Sequence, residues 1–216
     1  MAEDGGERMI LREFSYVVVP EGTGRTAEDA AALLLANAKS ATLAHVRAVA
    51  QVCAQLAERF GIDREGCVAA ALLHDISAVV RREDMLLYAR RQGFALCEAE
   101  ERLPFLLHQR LSRVVAQEHF GVTDESVLSA IECHTTLRAQ ASPMEMALFL
   151  ADKLAWDQPG VPPYETEVRA ALERSLPAAC HAFMRYSNEN GRVLFPHVQW
   201  IEAFDWLGRT LPEADR

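Results

Sequence analysis

The sequence has no long apolar run. Its longest runs, such as residues 30–36 and 68–73, are far shorter than the roughly 18 residues that a membrane-spanning helix needs. The first ten residues, MAEDGGERMI, are acidic, whereas a secretory signal begins with basic residues followed by an apolar stretch. We therefore predict a cytoplasmic protein with no membrane partner.

Cysteine motifs and an excess of basic residues are also absent. The five cysteines are an odd number and form no C-x-x-C pair, which argues against a disulfide framework and a structural zinc knuckle. Lys and Arg number 22 against 31 Asp and Glu, a net charge of −9. This charge disfavours a nucleic acid polymer as partner. A small anionic substrate stays open if a metal or a few cations compensate.

What the sequence does contain is helical periodicity. Its 216 residues, half of them hydrophobic, are enough for one ordinary domain. We interpret residues 1–25 as an N-terminal arm with a strand-like run at residues 14–19, residues 26–160 as the core, and residues 161–216 as C-terminal helices packed on it. Because strand alternation is essentially missing after residue 25, the predicted fold class is all-α, a helical bundle.

Helix boundaries follow from capping and stop signals. Thr26 is predicted to cap the first helix, Asp63 the third, Thr123 a later one, and Ser142 with Glu145 to form a capping box. The charge cluster at residues 98–102 indicates a solvated helix face. The predicted helices are residues 26–38, a helix through residues 46–60 stopped by Gly61, then 64–73, 82–92, 105–120, 124–133, 143–156, 164–191 with a break at Pro177, and 197–209.

Six histidines and aspartates follow one another along these predicted helices. Five of the helices, in chain order, each carry one of them or an adjacent pair, and helices around a common interior can bring such side chains together at a metal. The remaining histidines are interpreted as surface or core residues: His119, His181 and His197. The candidate ligands are His45, His74, Asp75, His108, His134 and Asp152.

This order resembles the HD-domain phosphohydrolase superfamily. The segments LLHQRLSRV, FGVTDE, AIECHTT and FLADKLAWDQ narrow the resemblance to its YqeK-type subgroup, the symmetrical bis(5'-nucleosyl)-tetraphosphatases, over about residues 27–210. The resemblance implies an all-α fold, a dinuclear centre usually assigned to iron, and cleavage of diadenosine tetraphosphate into two ADP molecules.

The resemblance also implies a division of the ligands. His45, His74, Asp75 and Asp152 would hold one metal, and His108 and His134 the second, with Asp75 bridging both and therefore catalytic. Imidazole suits iron, manganese and zinc alike. Two such ions about 3.5 to 4 Å apart can activate a shared water as hydroxide and hold phosphoryl oxygens.

Four further residues are candidates for contacting the substrate. Arg138 is expected to bind a phosphate as a second catalytic group, and Lys153 to act as a point charge. Thr135 and Gln109 are the other two substrate-binding candidates. The apolar C-terminal positions Trp206 and Leu207 are candidates for the interface of a homodimer.

Two departures from the family pattern keep other functions open. No lysine follows the His-Asp pair in HDISAVV, where Ser77 stands nearby, and HTTLR has Leu137 where the family often has glycine. The alternatives are a nucleotidase or other small phosphoester hydrolase on the same site, and a non-catalytic regulator that binds metal or nucleotide.

Overall fold

The chain is described over residues 10–213 by a computed structural model. Within that range it has α-helices, three short 3-10 helices and no β-strand, which confirms the all-α prediction. The α-helices are α1 Thr26–Ala36, α2 Ser40–Phe60, α3 Arg64–Leu73, α4 Arg82–Arg91, α5 Glu98–Arg102, α6 His108–Glu118, α7 Glu125–Cys133, α8 Pro143–Leu154, α9 Glu165–Leu172, α10 Leu176–Glu189 and α11 Val198–Thr210.

The centre of the fold is a group of four helices, α2, α3, α7 and α8. α2 packs against α3 and α8, and α7 packs against α3, α6 and α8. The side chains of Val46, Val49 and Cys53 form the buried stripe of α2, while α8 is buried almost throughout. α10 covers α8 from the C-terminal side. No helix of the described range is both long and apolar enough to cross a membrane.

Several predicted helix ends are confirmed. Gly61, with φ 65°, ends α2 in the left-handed conformation that glycine adopts without strain. The Asp63 carboxylate accepts from the N–H groups of Glu65 and Gly66 at the start of α3. Ser142 and Glu145 form the predicted capping box of α8. These ends were predictable because they depend on neighbouring residues alone.

Two predicted caps are wrong. Thr26 lies inside α1, whose N-cap is Arg25; Asp29 folds back instead to accept from Thr23 and Gly24 in the preceding loop. α7 is capped by Asp124, one residue after the predicted Thr123. At α7 the Asp124 carboxylate accepts from the N–H of Ser126 in place of the expected threonine hydroxyl, whereas α1 has no side-chain cap.

The strand-like run at residues 14–19 is not a strand. The amide of Asn37 accepts from the N–H of Val18 at 2.9 Å and donates to its carbonyl at 2.7 Å. This side chain takes the place of a partner strand, so an apolar run with β-propensity stays a loop. Ahead of it, residues Ile10–Glu13 form a 3-10 helix whose first two side chains are buried.

The C-terminal part differs from prediction in two details. The break between α9 and α10 precedes Pro177, which lies in the first turn of α10 just after the Ser175 cap, a position that suits proline. The side chain of Leu207 is completely buried within its own chain, so it is not available for a homodimer. A dimer through other residues stays a prediction.

The charge cluster of α5 is not uniformly solvated. Glu100 is buried with 1% of its surface exposed. Its carboxylate accepts from Arg110 at 3.1 Å and from the N–H of Cys97 at 3.0 Å, and it lies 3.7 Å from the ring of His197. The helix therefore turns one carboxylate inward, where a buried charge requires partners of opposite sign.

Glu100 gives the protein an acid-sensitive element. Burial raises the pKa of its carboxyl, but His197, the Cys97 N–H and Arg110 outweigh burial and lower the pKa to about 2. The pKa in the unfolded chain is about 4.3, so this stabilisation is complete above about pH 5 and is lost as the pH falls toward 2. We expect Glu100→Gln to flatten the fall in the free energy of unfolding over that window by about 3 kcal/mol.

Urea unfolding at several pH values checks this expectation. Glu98→Gln on the same helix is the matched control, because the Glu98 side chain is 77% exposed. Parallel profiles of wild type and Glu100→Gln between pH 5 and 2 would contradict the assignment.

Candidate metal centre

Five of the six candidate ligands lie at or next to helix ends around the four-helix centre, and His45 lies inside a helix. His45 lies in the second turn of α2. His74 and His134 directly follow α3 and α7, and Asp75 comes after His74. His108 begins α6, and Asp152 lies in the last turn of α8.

Three of the histidines are held in the same way. The Nδ1 atoms of His74, His108 and His134 each lie within hydrogen-bond distance, 2.6–2.8 Å, of the carbonyl oxygen three residues earlier. A carbonyl only accepts, so Nδ1 carries the proton. In the neutral ring the Nε2 lone pair is then free for a metal.

These Nε2 atoms converge on the two carboxylates. Asp75 Oδ1 lies 3.4 Å from His108 Nε2 and 3.6 Å from His134 Nε2, and Asp75 Oδ2 lies 3.6 Å from His74 Nε2. Asp152 Oδ1 lies 2.9 Å from His45 Nε2 and 3.6 Å from His74 Nε2. Asp75 therefore lies between three histidines, and Asp152 between two.

The arrangement fits metal ions. The Nε2 atoms of His108 and His134 are 2.9 Å apart, and since both rings donate from Nδ1, two lone pairs face each other when both rings are neutral. His74 Nε2 is buried without a hydrogen-bond partner. Cations would satisfy the facing nitrogens of His108 and His134 and would give His74 Nε2 a partner once its proton is lost, and imidazole with carboxylate is a common donor set for divalent transition metals.

The charges of the centre also favour cations. Burial opposes ionisation of Asp75, yet His74, His134 and His108 hold its pKa well below the usual range. The pKa of Asp152 is likewise lowered, against burial, first of all by Lys153. Both carboxylates are therefore anionic at neutral pH.

The histidines of the centre differ in charge. Burial lowers the pKa of His134 to about 4 and also lowers that of His108, which keeps both rings neutral near pH 7. For His74 the charges of Asp75 and Asp152 outweigh burial and raise its pKa to about 9.

Lys153 reaches the centre even though it follows Asp152 directly. Its Nζ pairs with Asp152 Oδ2 and donates to the carbonyl of His134 at 3.1 Å. The side chain is 14% exposed and passes over the Phe149 ring. The structure thus brings this predicted residue to the site, because its long flexible stem overcomes the angular offset of neighbouring helix positions.

Thr135 and Gln109 are placed differently from each other. Thr135 Oγ1 lies 3.2 Å from His108 Nε2. Gln109 is fully buried and accepts from the backbone N–H of Thr135 at 3.1 Å. Its amide also donates to Thr136, whose hydroxyl donates to Gln199 on α11. Gln109 therefore holds the turn that follows His134, a role that it shares with Thr136 and Gln199, which sequence reasoning missed.

Arg138 is not brought to the ligands. Its guanidinium donates to the buried Glu145 through Nε at 2.6 Å and Nη2 at 3.2 Å, on the side where Ser129 and Ser142 also bind that carboxylate. Arg138 completes the capping box of α8 in this structure.

The two departures from the family pattern have structural counterparts. Ser77 is buried, donates to the carbonyl of His108 at 2.9 Å and accepts from the Ser112 hydroxyl at 3.0 Å, so it fixes the start of α6. Leu137 has φ 56°, a left-handed conformation in which a leucine is strained, and its side chain is completely buried. The strained backbone of Leu137 destabilises the fold, and the burial of its side chain offsets that cost.

At position 137 we therefore expect the glycine variant to be more stable than the alanine variant, the reverse of the usual order. Leu137→Ala loses the packing and keeps the strain, with an expected loss of about 2–5 kcal/mol in the free energy of unfolding. Leu137→Gly loses the same packing but releases the strain, so we expect it to be more stable than the alanine variant by about 1 kcal/mol. Denaturant unfolding of both variants measures the difference, and a glycine variant less stable than the alanine variant would contradict it.

An apolar cavity of about 320 Å³ adjoins the centre. Thr135 and Lys153 belong to its wall as well as to the surroundings of the ligands. The aromatic residues of the wall are Tyr164, Phe183, Phe195 and Trp200. Arg192 and His197 add polar groups to it.

The sequence model of the HD domain matches residues 42–157, more than half of the chain and all six ligand positions. The chain belongs to the HD-domain family and is an HD-type metal-dependent phosphohydrolase.

The chain is also similar in sequence to curated proteins from two bacteria. The chain is 35% identical over 142 residues to an uncharacterized protein in the pepC 5' region of Lactococcus lactis subsp. cremoris, covering 66% of this chain and 72% of that one. It is 26% identical over 165 residues to the symmetrical bis(5'-nucleosyl)-tetraphosphatase of Bacillus subtilis, covering 76% and 87%.

A solved structure also resembles this chain. It comes from Clostridium acetobutylicum and is described as a "predicted HD superfamily hydrolase involved in NAD metabolism". The TM-score is 0.76 at 27% identity, over 85% of this chain and 97% of that chain.

Proposed function

We propose that this protein hydrolyses dinucleoside tetraphosphates symmetrically into two nucleoside diphosphates. The observation that carries the proposal is the contact between the six-ligand centre and the aromatic cavity, which share Thr135 and Lys153. A substrate with a base at one end and phosphates next to it fits both at once. The symmetrical tetraphosphatases among the relatives support this substrate class.

The ligand assignment is part of the proposal. His45, His74, Asp75 and Asp152 would hold one divalent ion, and His108 and His134 a second, with Asp75 between the two. Iron is the proposed metal, with manganese and zinc as alternatives that the donor set accepts equally. The bound ions would supply an activated hydroxide and neutralise charge on the phosphates.

The chain's own residues bind and orient the substrate. The aromatic walls of the cavity would hold one nucleoside by apolar contact and ring stacking. Lys153, on the border between cavity and centre, would add a positive charge beside the phosphates, in a protein whose net charge of −9 otherwise repels them. The phosphate contact predicted for Arg138 stays a prediction, since Glu145 holds that guanidinium here.

A second candidate is a nucleotidase on the same site. The cavity volume of about 320 Å³ suits a single nucleoside, so a mononucleotide would occupy it as well as one half of a dinucleotide. A regulator that binds nucleotide without turnover is the third candidate, and product analysis separates all three.

The test is chromatography of the products after anaerobic reconstitution with ferrous iron and incubation with diadenosine tetraphosphate. We expect ADP alone, and none with Asp75→Ala. AMP together with ATP would contradict symmetrical cleavage. Release of phosphate from mononucleotides alone would favour the nucleotidase, and binding without any product would favour the regulator.

A further inference from the structure

His45 differs from the other three histidines of the centre in the hydrogen bonding of its Nδ1 atom. His74, His108 and His134 each direct Nδ1 at a backbone carbonyl. The Nδ1 atom of His45 is buried and has no hydrogen-bond partner. One ligand thus lacks the support that the others share.

The position of His45 in its helix explains the difference. His74 and His134 directly follow α3 and α7, where carbonyl groups of the last helical turn lack an intrahelical partner, and His108 Nδ1 faces the carbonyl of Phe105 in the short 3-10 helix before α6. His45 is the sixth residue of α2, Ser40–Phe60. There the carbonyl three residues earlier, that of Thr42, accepts the helical hydrogen bond, so a side chain has to supply the acceptor.

We propose that Asp157 is this acceptor and is therefore a positioning residue of the metal centre. Asp157 Oδ2 lies 3.9 Å from His45 Nδ1, and its side chain is 64% exposed in the loop after α8. We expect a rotation of this exposed side chain to bring the two atoms within hydrogen-bond distance. Asp157 lies five residues beyond Asp152, so one short segment supplies both a ligand and the support of its neighbour.

Metal binding creates the need for this hydrogen bond. In the structure His45 Nε2 lies 2.9 Å from Asp152 Oδ1, which requires the proton of the neutral ring on Nε2. If His45 holds a divalent ion through Nε2, that nitrogen would give up its proton to solvent and the neutral ring would carry its proton on Nδ1. Nδ1 then becomes a buried donor, and the carboxylate of Asp157 accepts from it. Partners of this kind orient a ligand histidine and raise its basicity.

The inference rests on the proposed role of His45 as a metal ligand, and the test separates the two. Mn²⁺ binding to the full chain is titrated by electron paramagnetic resonance, which needs no substrate. We expect Asp157→Ala to weaken binding about 10- to 100-fold. Asp157→Asn keeps an acceptor oxygen and should recover at least half of that loss on a logarithmic scale. Asp205→Ala, an exposed aspartate on α11, controls for the lost charge and should bind as wild type does.

Wild-type affinity in Asp157→Ala would overturn the inference, and so would an equal loss in the alanine and asparagine variants, which indicates charge alone. In a His45→Ala background, Asp157→Ala should have no further effect. An additional loss there would also overturn it. If His45→Ala itself binds Mn²⁺ normally, the ligand role of His45 fails, and the positioning role fails with it.

A spectroscopic signal tests the hydrogen bond directly. In Zn²⁺-loaded protein with ¹⁵N-labelled histidine, we expect a slowly exchanging Nδ1–H resonance from His45 that Asp157→Ala broadens or removes. An unchanged resonance in that variant would contradict the proposal.

Discussion

Asp75→Ala should lose metal binding and hydrolysis together while the helices stay folded. Asp75 places its two oxygens between three histidines, at 3.4–3.6 Å from their Nε2 atoms, so both proposed ions lose a ligand. We expect turnover to fall at least about a thousandfold. The helical circular dichroism should be unchanged, because Asp75 makes no side-chain cap.

The measurements are metal content after gel filtration and turnover of diadenosine tetraphosphate. Asp205→Ala again serves as control, since it removes the same charge from an exposed surface. A metal-depleted Asp75→Ala that remained active would contradict the role of the centre in catalysis. Full metal content in this variant would contradict the bridging position of Asp75.

Removal of metal by a chelator should abolish activity and lower stability, and both should return when Fe²⁺, Mn²⁺ or Zn²⁺ is added. The physical reason is that the centre crowds two anionic carboxylates and the facing Nε2 atoms of the neutral His108 and His134, which cations would satisfy. An ion at a hundredfold excess over its dissociation constant adds about 2.7 kcal/mol to the free energy of unfolding. In a chain of this size that raises Tm by about 5–10 °C.

Thermal unfolding with and without metal measures the gain. Asp75→Ala under the same conditions is the control, and it should show no shift. Equal shifts in wild type and Asp75→Ala would mean that the stabilising ion binds elsewhere.

Much of the site was predictable because each ligand is marked by local sequence. His74-Asp75 and His134 directly follow apolar helical segments. The helix caps at Asp63 and Ser142 marked where α3 and α8 begin. The order of His and Asp along the chain then indicated convergence.

What the sequence did not reveal depends on contacts between distant segments. Gln199 reaches Thr136 across 63 positions, and no local pattern marks such a pair. Arg138 was predicted at a phosphate because of its nearness to His134 in the chain, but Glu145 is both a capping residue and a buried anion, which attracts the guanidinium. Glu100 was likewise predicted to be one of several surface charges, but in the fold its carboxylate is buried against Arg110.

Anomalous X-ray diffraction from crystals loaded anaerobically with iron tests the central claim most directly. The account predicts two peaks about 3.5–4 Å apart, one beside His45, His74 and Asp152 and the other beside His108 and His134, with Asp75 contacting both. A single peak would contradict the dinuclear centre. Peaks away from these six residues would contradict the metal assignment altogether.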